Sequence, residues 1–155
     1  MSRPFGRLVR ESLVSELEQR REVGRQVLRD MFGEAFLAGF EQAANSNAFG
    51  AKTARLALEF AFAETWGDPA LDRKSRSMVT IGALIALGKP DELKNHVRAG
   101  LSNGLTVAEL EAVILQTVPY VGFPAVAQAL EAAMAVLKER GLLGEAKSAK
   151  DRGIL

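Results

Sequence analysis

The chain has 155 residues, of which 48% are hydrophobic, 20 are lysine or arginine and 19 are aspartate or glutamate. Its net charge of +1 provides no broad field for nucleic acid or an anionic bilayer, so neither is an expected partner. Cysteine is absent and histidine occurs once, which excludes thiol redox chemistry and makes a zinc or iron site a poor prediction.

The first half of the chain shows helical periodicity and no alternating strand pattern. Apolar residues at helical spacing predict one or two amphipathic helices from Leu8 to about Met31, with Gly24 as the candidate break. A short helix around residues 36–40 and a turn at 45–50 follow. The next helix runs from about Ala51 to Trp66, where Gly67, Asp68 and Pro69 stop it.

The second half is punctuated by glycine and proline. The helix from about Arg73 to Gly88 is apolar on nearly every face after Ser77, which predicts a buried helix at the centre of the fold. Pro90 begins a helix to about Leu101. A capping box of Thr106 and Glu109 begins another to about Val118, and Gly122 and Pro124 precede a last helix to about Arg140.

These elements together predict an all-α bundle of about six to seven helices. The length and apolar content are those of one domain, residues 1–155, with a frayed tail at 145–155. The apolar stretch Met78 to Leu87 is too short to cross a bilayer, which needs about 20 residues, so no membrane partner is expected. The first ten residues lack the pattern of a signal peptide, which favours a cytoplasmic location.

The clearest local pattern for chemistry is Glu92 and His96 in the helix that begins at Pro90. Residues four apart share a helix face, so the two side chains can interact. A carboxylate near an imidazole can orient it or hold its proton, and such a pair can transfer protons near neutral pH. Spacing alone equally allows an ordinary exposed pair worth about 0.2–0.5 kcal/mol.

Three segments resemble the carboxymuconolactone decarboxylase family, in the order that family has them. They are Glu64 to Ile81, Asp91 to Glu109 and Tyr120 to Ala125. The resemblance covers roughly residues 21–137 and is densest at 64–125. It implies the all-α alkylhydroperoxidase D-like fold and a homo-oligomer, either a trimer or a hexamer.

The resemblance also separates two branches of that fold. The thiol peroxidase branch carries a Cys-x-x-Cys-x-x-x-His motif, which placed on His96 requires cysteines where this chain has Lys89 and Glu92. Peroxidase activity is therefore excluded. Glu92 resembles the decarboxylase branch, whose members act without a metal or an organic cofactor on an anionic lactone in the β-ketoadipate route of aromatic catabolism. Cofactors and metal ligands are therefore not expected.

The resemblance implies roles for individual residues in such a decarboxylase. His96 returns a proton, and Glu92 orients it or destabilises the departing carboxylate. Arg76 is the candidate clamp for a substrate carboxylate, because guanidinium binds carboxylate through two hydrogen bonds. Tyr120 is a candidate donor to the lactone oxygen. Glu64 and Trp66 are further candidates for substrate binding, and Phe123 is a candidate wall; core packing or surface exposure remains the alternative for the arginine and the aromatic residues.

One position departs from the family pattern. Family members often have arginine where this chain has Asp68, between Trp66 and Leu71. An acidic residue there would repel an anionic substrate, so a less anionic substrate stays open. Two other functions remain as alternatives: a lactone-processing hydrolase or isomerase that uses the same pocket, and a non-catalytic oligomeric binding protein.

Overall fold

A computed structural model describes residues 4–143 of the chain, with side chains described from residue 9 onward. The predicted frayed tail at 145–155 lies outside the described residues. The described residues contain helices and no strands, which confirms the all-α prediction. They divide between Leu71 and Asp72 into two compact units, which are described in turn, and one domain over the whole chain stays a prediction.

The first unit contains three helices and a π-helical segment. Helix α1 is Pro4–Phe32, α2 is Glu34–Asn45 and α3 is Ala51–Leu56, and α3 continues without a break into a π-helix, Ala57–Trp66. The helix predicted from Ala51 to Trp66 is thus present, but its last ten residues are more widely wound. π-helical winding is rare and is usually limited to a single turn inside an α-helix, so a segment of ten residues is unusual. The sequence pattern did not predict this winding.

Gly24 does not break α1, so that prediction was wrong. The glycine lies inside one continuous helix, at the point where α1 passes Leu58. A Cβ at residue 24 would collide with the carbonyl oxygen of Leu58. At Gly24, therefore, α1 approaches its neighbour closely, and the absence of a side chain permits this packing. The glycine does not end the helix.

Arginines of α1 bind glutamates of the other elements in the first unit. Arg21 donates to Glu59 of the π-helix at 2.8 Å, and Arg25 donates to Glu41 of α2 at 2.7 Å. The apolar core of this unit contains Leu28, Leu37 and Leu58. The unit also contains a group of stacked and edge-on phenylalanine rings: Phe32, Phe36, Phe40 and Phe62.

The second unit contains α4, Arg73–Ala86, α5, Pro90–Ser102, and α6, Val107–Glu139. The predicted capping box is confirmed, because Thr106 accepts from the Glu109 backbone and Glu109 accepts from the Thr106 backbone. The Lys74 ammonium, together with the donors of Thr106, lowers the pKa of Glu109 to about 2.

Helix α6 is interrupted where the sequence predicted a break. Gly122 has φ 78° and ψ 165°, a backbone conformation that favours glycine. The two helices predicted here are therefore joined at a sharp kink, with one arm at 107–121 and the other at 123–139. By length and composition alone, α6 could cross a membrane. Eight of its side chains are buried within the unit.

Helix α4 is not enclosed by the rest of the described chain, contrary to the prediction. Ser77, Ile81 and Ile85 are buried, but Val79 and Leu87 are 66% and 67% exposed. The buried core of the unit lies where α5 and the two arms of α6 meet one face of α4. Each apolar face of a helix tends to pack against other apolar residues. The sequence of the helix does not specify whether those residues belong to the same chain or to another one.

Candidate active site

Helix α5 carries the predicted acid–base pair, and its start is well defined. Leu87, Gly88 and Lys89 donate backbone hydrogen bonds to the last turns of α4, and Gly88 has the positive φ of 62° that ends such a helix. Pro90 then occupies the first turn of α5, as predicted. Leu93 and Val97 are buried in the core, and these contacts fix the position of α5 relative to the rest of the unit.

His96 lies on this helix and is half-buried, with its Nδ1 atom shielded from solvent. Burial lowers the pKa of His96, while the negative charge of Glu92 acts in the opposite direction. The burial effect is the larger of the two. Partial burial therefore disfavours the protonated form of this imidazole.

Glu92 is exposed, and its carboxylate is close enough to His96 to change the pKa of the imidazole. The structure thus brings together the two residues that the spacing predicted to interact. Their environments differ, because the carboxylate is hydrated and the imidazole is partly desolvated. Such an arrangement can hold a proton acceptor and a nearby negative charge beside a bound molecule.

Arg76 lies in the first turn of α4 and is half-buried. Asp72 caps this helix by accepting from the Ser75 backbone and hydroxyl, at 2.9 and 2.6 Å. The neighbouring Ser77 is fully buried, donates to Arg73 and accepts from Asn103 at 3.0 Å. Sequence reasoning missed this link between α4 and the end of α5, and the position of Ser77 directly before an apolar run was only a weak signal for it.

The aromatic residues at the kink of α6 face solvent in the described chain. Tyr120 is 80% exposed and Phe123 is 76% exposed, on the two sides of Gly122. Packing of Tyr120 in the core of its own chain, one of the alternatives for this residue, is therefore contradicted. Its phenol forms no hydrogen bond within residues 9–143, and its role as a donor to substrate stays a prediction.

Glu64 and Trp66 lie in the first unit, within the π-helical segment. Glu64 forms an ion pair with Arg20 of α1 at 3.1 Å, with both side chains largely exposed, and Trp66 is half-buried. Their predicted roles in substrate binding are not tested by these contacts. Asp68, the position that departs from the family pattern, accepts from the Ala70 backbone at 2.9 Å in the turn after the π-helix.

The chain is similar in sequence to known decarboxylases and to one protein family. The sequence profile of the carboxymuconolactone decarboxylase family matches residues 51–135, which include Glu92 and His96. The chain is 38% identical over 128 residues to 4-carboxymuconolactone decarboxylase of Acinetobacter baylyi, covering 83% of this chain and 94% of that protein. It is 31% identical over 107 residues to nitrosuccinic acid decarboxylase npaB of Metarhizium robertsii, covering 69% and 73%. With this profile match over more than half of its length, the chain belongs to the carboxymuconolactone decarboxylase family.

Proposed function

We propose that the protein is a carboxy-lyase for a small acid that has an internal electron acceptor, with 4-carboxymuconolactone as the first substrate to test. The observation that carries the proposal is the half-buried His96 beside Glu92 on a rigid helix, within a chain similar over most of its length to named decarboxylases. Nitrosuccinic acid, in the name of the second relative, likewise combines carboxyl groups with an electron-accepting group.

The substrate itself supplies the electron sink for this reaction. In the lactone, the bond between the ring carbon and its carboxylate breaks, and carbon dioxide leaves. The electron pair moves through the ring double bond into the lactone carbonyl and gives a dienolate. One proton then adds to carbon and yields the enol-lactone, so the reaction consumes one proton for each carbon dioxide released. The protein needs to bind the anion, stabilise the oxyanion and deliver that proton.

His96 delivers the proton in this proposal, and its lowered pKa is compatible with that role. An anionic substrate beside the imidazole adds negative charge, which favours the protonated form and opposes the effect of burial. The bound substrate therefore helps to keep His96 protonated. Glu92 contributes in the same direction and repels the carboxylate that leaves, which favours the neutral product, carbon dioxide.

The remaining predicted residues have supporting roles in the proposal. Arg76 binds a substrate carboxylate, and Tyr120 donates to the lactone oxygen. For Glu64 and Trp66, substrate binding stays a prediction from the family resemblance. The partial burial of the arginine supports its role, because an ion pair gains strength when it is removed from bulk water.

Homo-oligomeric assembly, as a trimer or a hexamer, is also part of the proposal. Large apolar side chains of the second unit are exposed, and exposed apolar surface is typical of interfaces. They are Val79, Leu87, Leu115, Tyr120 and Phe123. Light scattering after size-exclusion chromatography should give a mass of three or six chains, and a monomer would contradict this part of the proposal.

The test of the function is carbon dioxide release from freshly prepared 4-carboxymuconolactone, with nitrosuccinate assayed in parallel. We expect the wild-type protein to act on at least one of them and the variant His96→Gln to be slower by about 10²–10⁴-fold, the usual contribution of a general acid. Glu92→Gln should be slower, whereas Glu111→Gln, an exposed control on α6, should match the wild type. Unchanged release by His96→Gln would contradict the assignment. Turnover of the lactone without carbon dioxide would instead favour a hydrolase or isomerase.

A further inference from the structure

The second unit contains a polar contact inside its core, between α4 and the end of α5. Ser77 is fully buried, and among the side chains of residues 9–143 it is the only buried polar or charged one. Its hydroxyl donates to the Arg73 carbonyl and accepts from the side-chain amide of Asn103, both at 3.0 Å. A buried hydroxyl without partners is destabilising, so this position favours the arrangement in which Asn103 reaches Ser77.

The two helices approach each other closely beside this hydrogen bond. Gly100 lies on α5 three residues before Asn103, and a Cβ placed there would come within 2.7 Å of Leu105 and 3.5 Å of the Ser77 Cβ. The backbone of α5 therefore lies directly against the Ser77 side chain. Apolar contacts are non-directional, whereas a hydrogen bond weakens steeply with distance and angle. The Ser77–Asn103 hydrogen bond thus favours one position of α5 along α4.

The hydrogen bond joins the two segments that carry candidate residues for the reaction. On α4, Ser77 directly follows Arg76, the candidate carboxylate clamp. On α5, Asn103 lies seven residues after His96, which is about 10 Å along the helix axis. The Asn103 backbone donates to Ala99 at 2.8 Å, so the helical hydrogen bonding extends to this residue. A displacement of Asn103 relative to Ser77 therefore moves the helix that carries the imidazole.

We propose that Ser77 and Asn103 are positioning residues of the proposed decarboxylase. Their hydrogen bond sets the position of His96 relative to Arg76, so that a substrate whose carboxylate binds the arginine presents its proton-accepting carbon to the imidazole. Neither Ser77 nor Asn103 contacts the substrate, and the proposal rests on the proposed function for the reaction. Such precision matters because a misplacement of about 1 Å can slow a reaction by about 10²-fold.

The kinetic test removes each end of the hydrogen bond and then both ends together. Ser77→Ala and Asn103→Ala should each lower kcat for carbon dioxide release by about tenfold to a hundredfold with KM nearly unchanged, because the substrate still binds but reacts from a poorer geometry. The double variant should be no slower than the slower single variant, since the same hydrogen bond is lost in all three. Losses that multiply in the double variant would show that the two residues act independently and would overturn the proposal.

Two control variants separate positioning from a general loss of stability. Ser102→Ala removes an exposed hydroxyl that donates to the Arg98 carbonyl at 3.1 Å within α5, and it should keep the wild-type kcat. Ile114→Val lowers stability through a core position on α6 and should also keep kcat where circular dichroism shows that all variants are folded. A loss of kcat in Ile114→Val as large as that in Ser77→Ala would assign the effect to stability and overturn the proposal.

A measurement without turnover distinguishes failure of this proposal from failure of the proposed function. His96 is the only histidine of the chain, so its ring C–H signals are assigned without ambiguity in a ¹H–¹³C spectrum of the tag-free protein. At fixed pH, Ser77→Ala and Asn103→Ala should shift these signals in the same direction, and Ser102→Ala should leave them in place. If the wild type releases no carbon dioxide while these shifts occur, the proposed function fails and the positioning of His96 by the hydrogen bond stands. Unshifted His96 signals in both variants would overturn the positioning role.

Discussion

Each unit of this chain has a buried apolar core, and the two units differ in the contacts that accompany it. In the first, Arg25 of α1 binds Glu18, Glu22 and Glu41, and α1 packs closely on the backbone near Leu58. In the second, a continuous cluster of thirteen buried apolar residues joins three helices. The candidate acid–base pair lies on a helix anchored in that cluster. The comparison shows that the candidate acid–base pair lies on a helix positioned by core packing, whereas Glu64 and Trp66, the further candidates for substrate binding, lie in the other unit.

The largest effect on stability should come from the core of the second unit. Ile114 of α6 is 1% exposed, so Ile114→Ala should lower the free energy of unfolding by about 2–5 kcal/mol through lost burial and the remaining cavity. Leu115→Ala, at an exposed neighbouring position, should cost much less in the isolated chain. Urea unfolding measures both variants, and equal losses would remove the distinction between buried and exposed positions in this unit.

The next effect should come from the close helix approach in the first unit. Gly24→Ala introduces a Cβ that collides with the carbonyl of Leu58, so it should destabilise the protein by about 1–3 kcal/mol. Gly39 lies in α2 with open space around it, and Gly39→Ala should instead stabilise by about 0.5–1 kcal/mol. Thermal unfolding should therefore shift in opposite directions. A stabilising Gly24→Ala would show that α1 is free to move away from its neighbour.

A smaller loss should follow from removing the cap of α6. Thr106→Ala leaves the backbone N–H of Glu109 without its hydroxyl acceptor and should cost about 1 kcal/mol. Thr106→Ser keeps the acceptor and should remain close to the wild type. Chemical denaturation distinguishes the two, and equal stability of the alanine and serine variants would contradict a role for the cap.

The ion pairs of the first unit should contribute less, and their contribution should depend on salt. Arg25→Met removes three carboxylate contacts that are partly exposed, so we expect a loss of about 0.2–1 kcal/mol at low ionic strength, with a smaller loss in 1 M salt. Thr106→Ala provides the comparison, because its effect should vary little with salt. An Arg25→Met effect that is independent of salt would point to packing of the arginine stem.

The stability of the protein should also depend on pH, through the ionisation of His96 in the candidate site. Burial lowers the pKa of His96 in the folded protein, so the unfolded chain binds this proton more tightly. This group should therefore leave stability unaffected well above about pH 6.5 and reduce it as the pH falls from about 6.5 towards the lowered pKa, below which the effect is constant. His96→Gln should make the decline between pH 7.5 and 5.5 shallower. A steeper decline in the variant would mean that the imidazole is protonated in the folded state.

Much of this organisation could be predicted from local sequence signals. The start of α5 at Pro90 and the capping box of Thr106 and Glu109 depend on residues within one helical turn, so a linear pattern contains the necessary information. The break at Gly122 is similarly local. By contrast, Gly24 was wrongly predicted to interrupt α1, because a glycine that permits close packing and a glycine that ends a helix are identical in sequence.

The sequence by itself determined that the chain is helical, that it has no thiol chemistry, and that Glu92 and His96 share a face of α5, since composition and helical spacing decide these points. Only the tertiary structure decided that the burial of His96 outweighs the charge of Glu92, that α4 keeps exposed apolar residues, and that the buried Ser77 accepts a hydrogen bond from Asn103. Desolvation and the meeting of side chains from separate helices depend on how distant segments pack, and no local pattern encodes that packing.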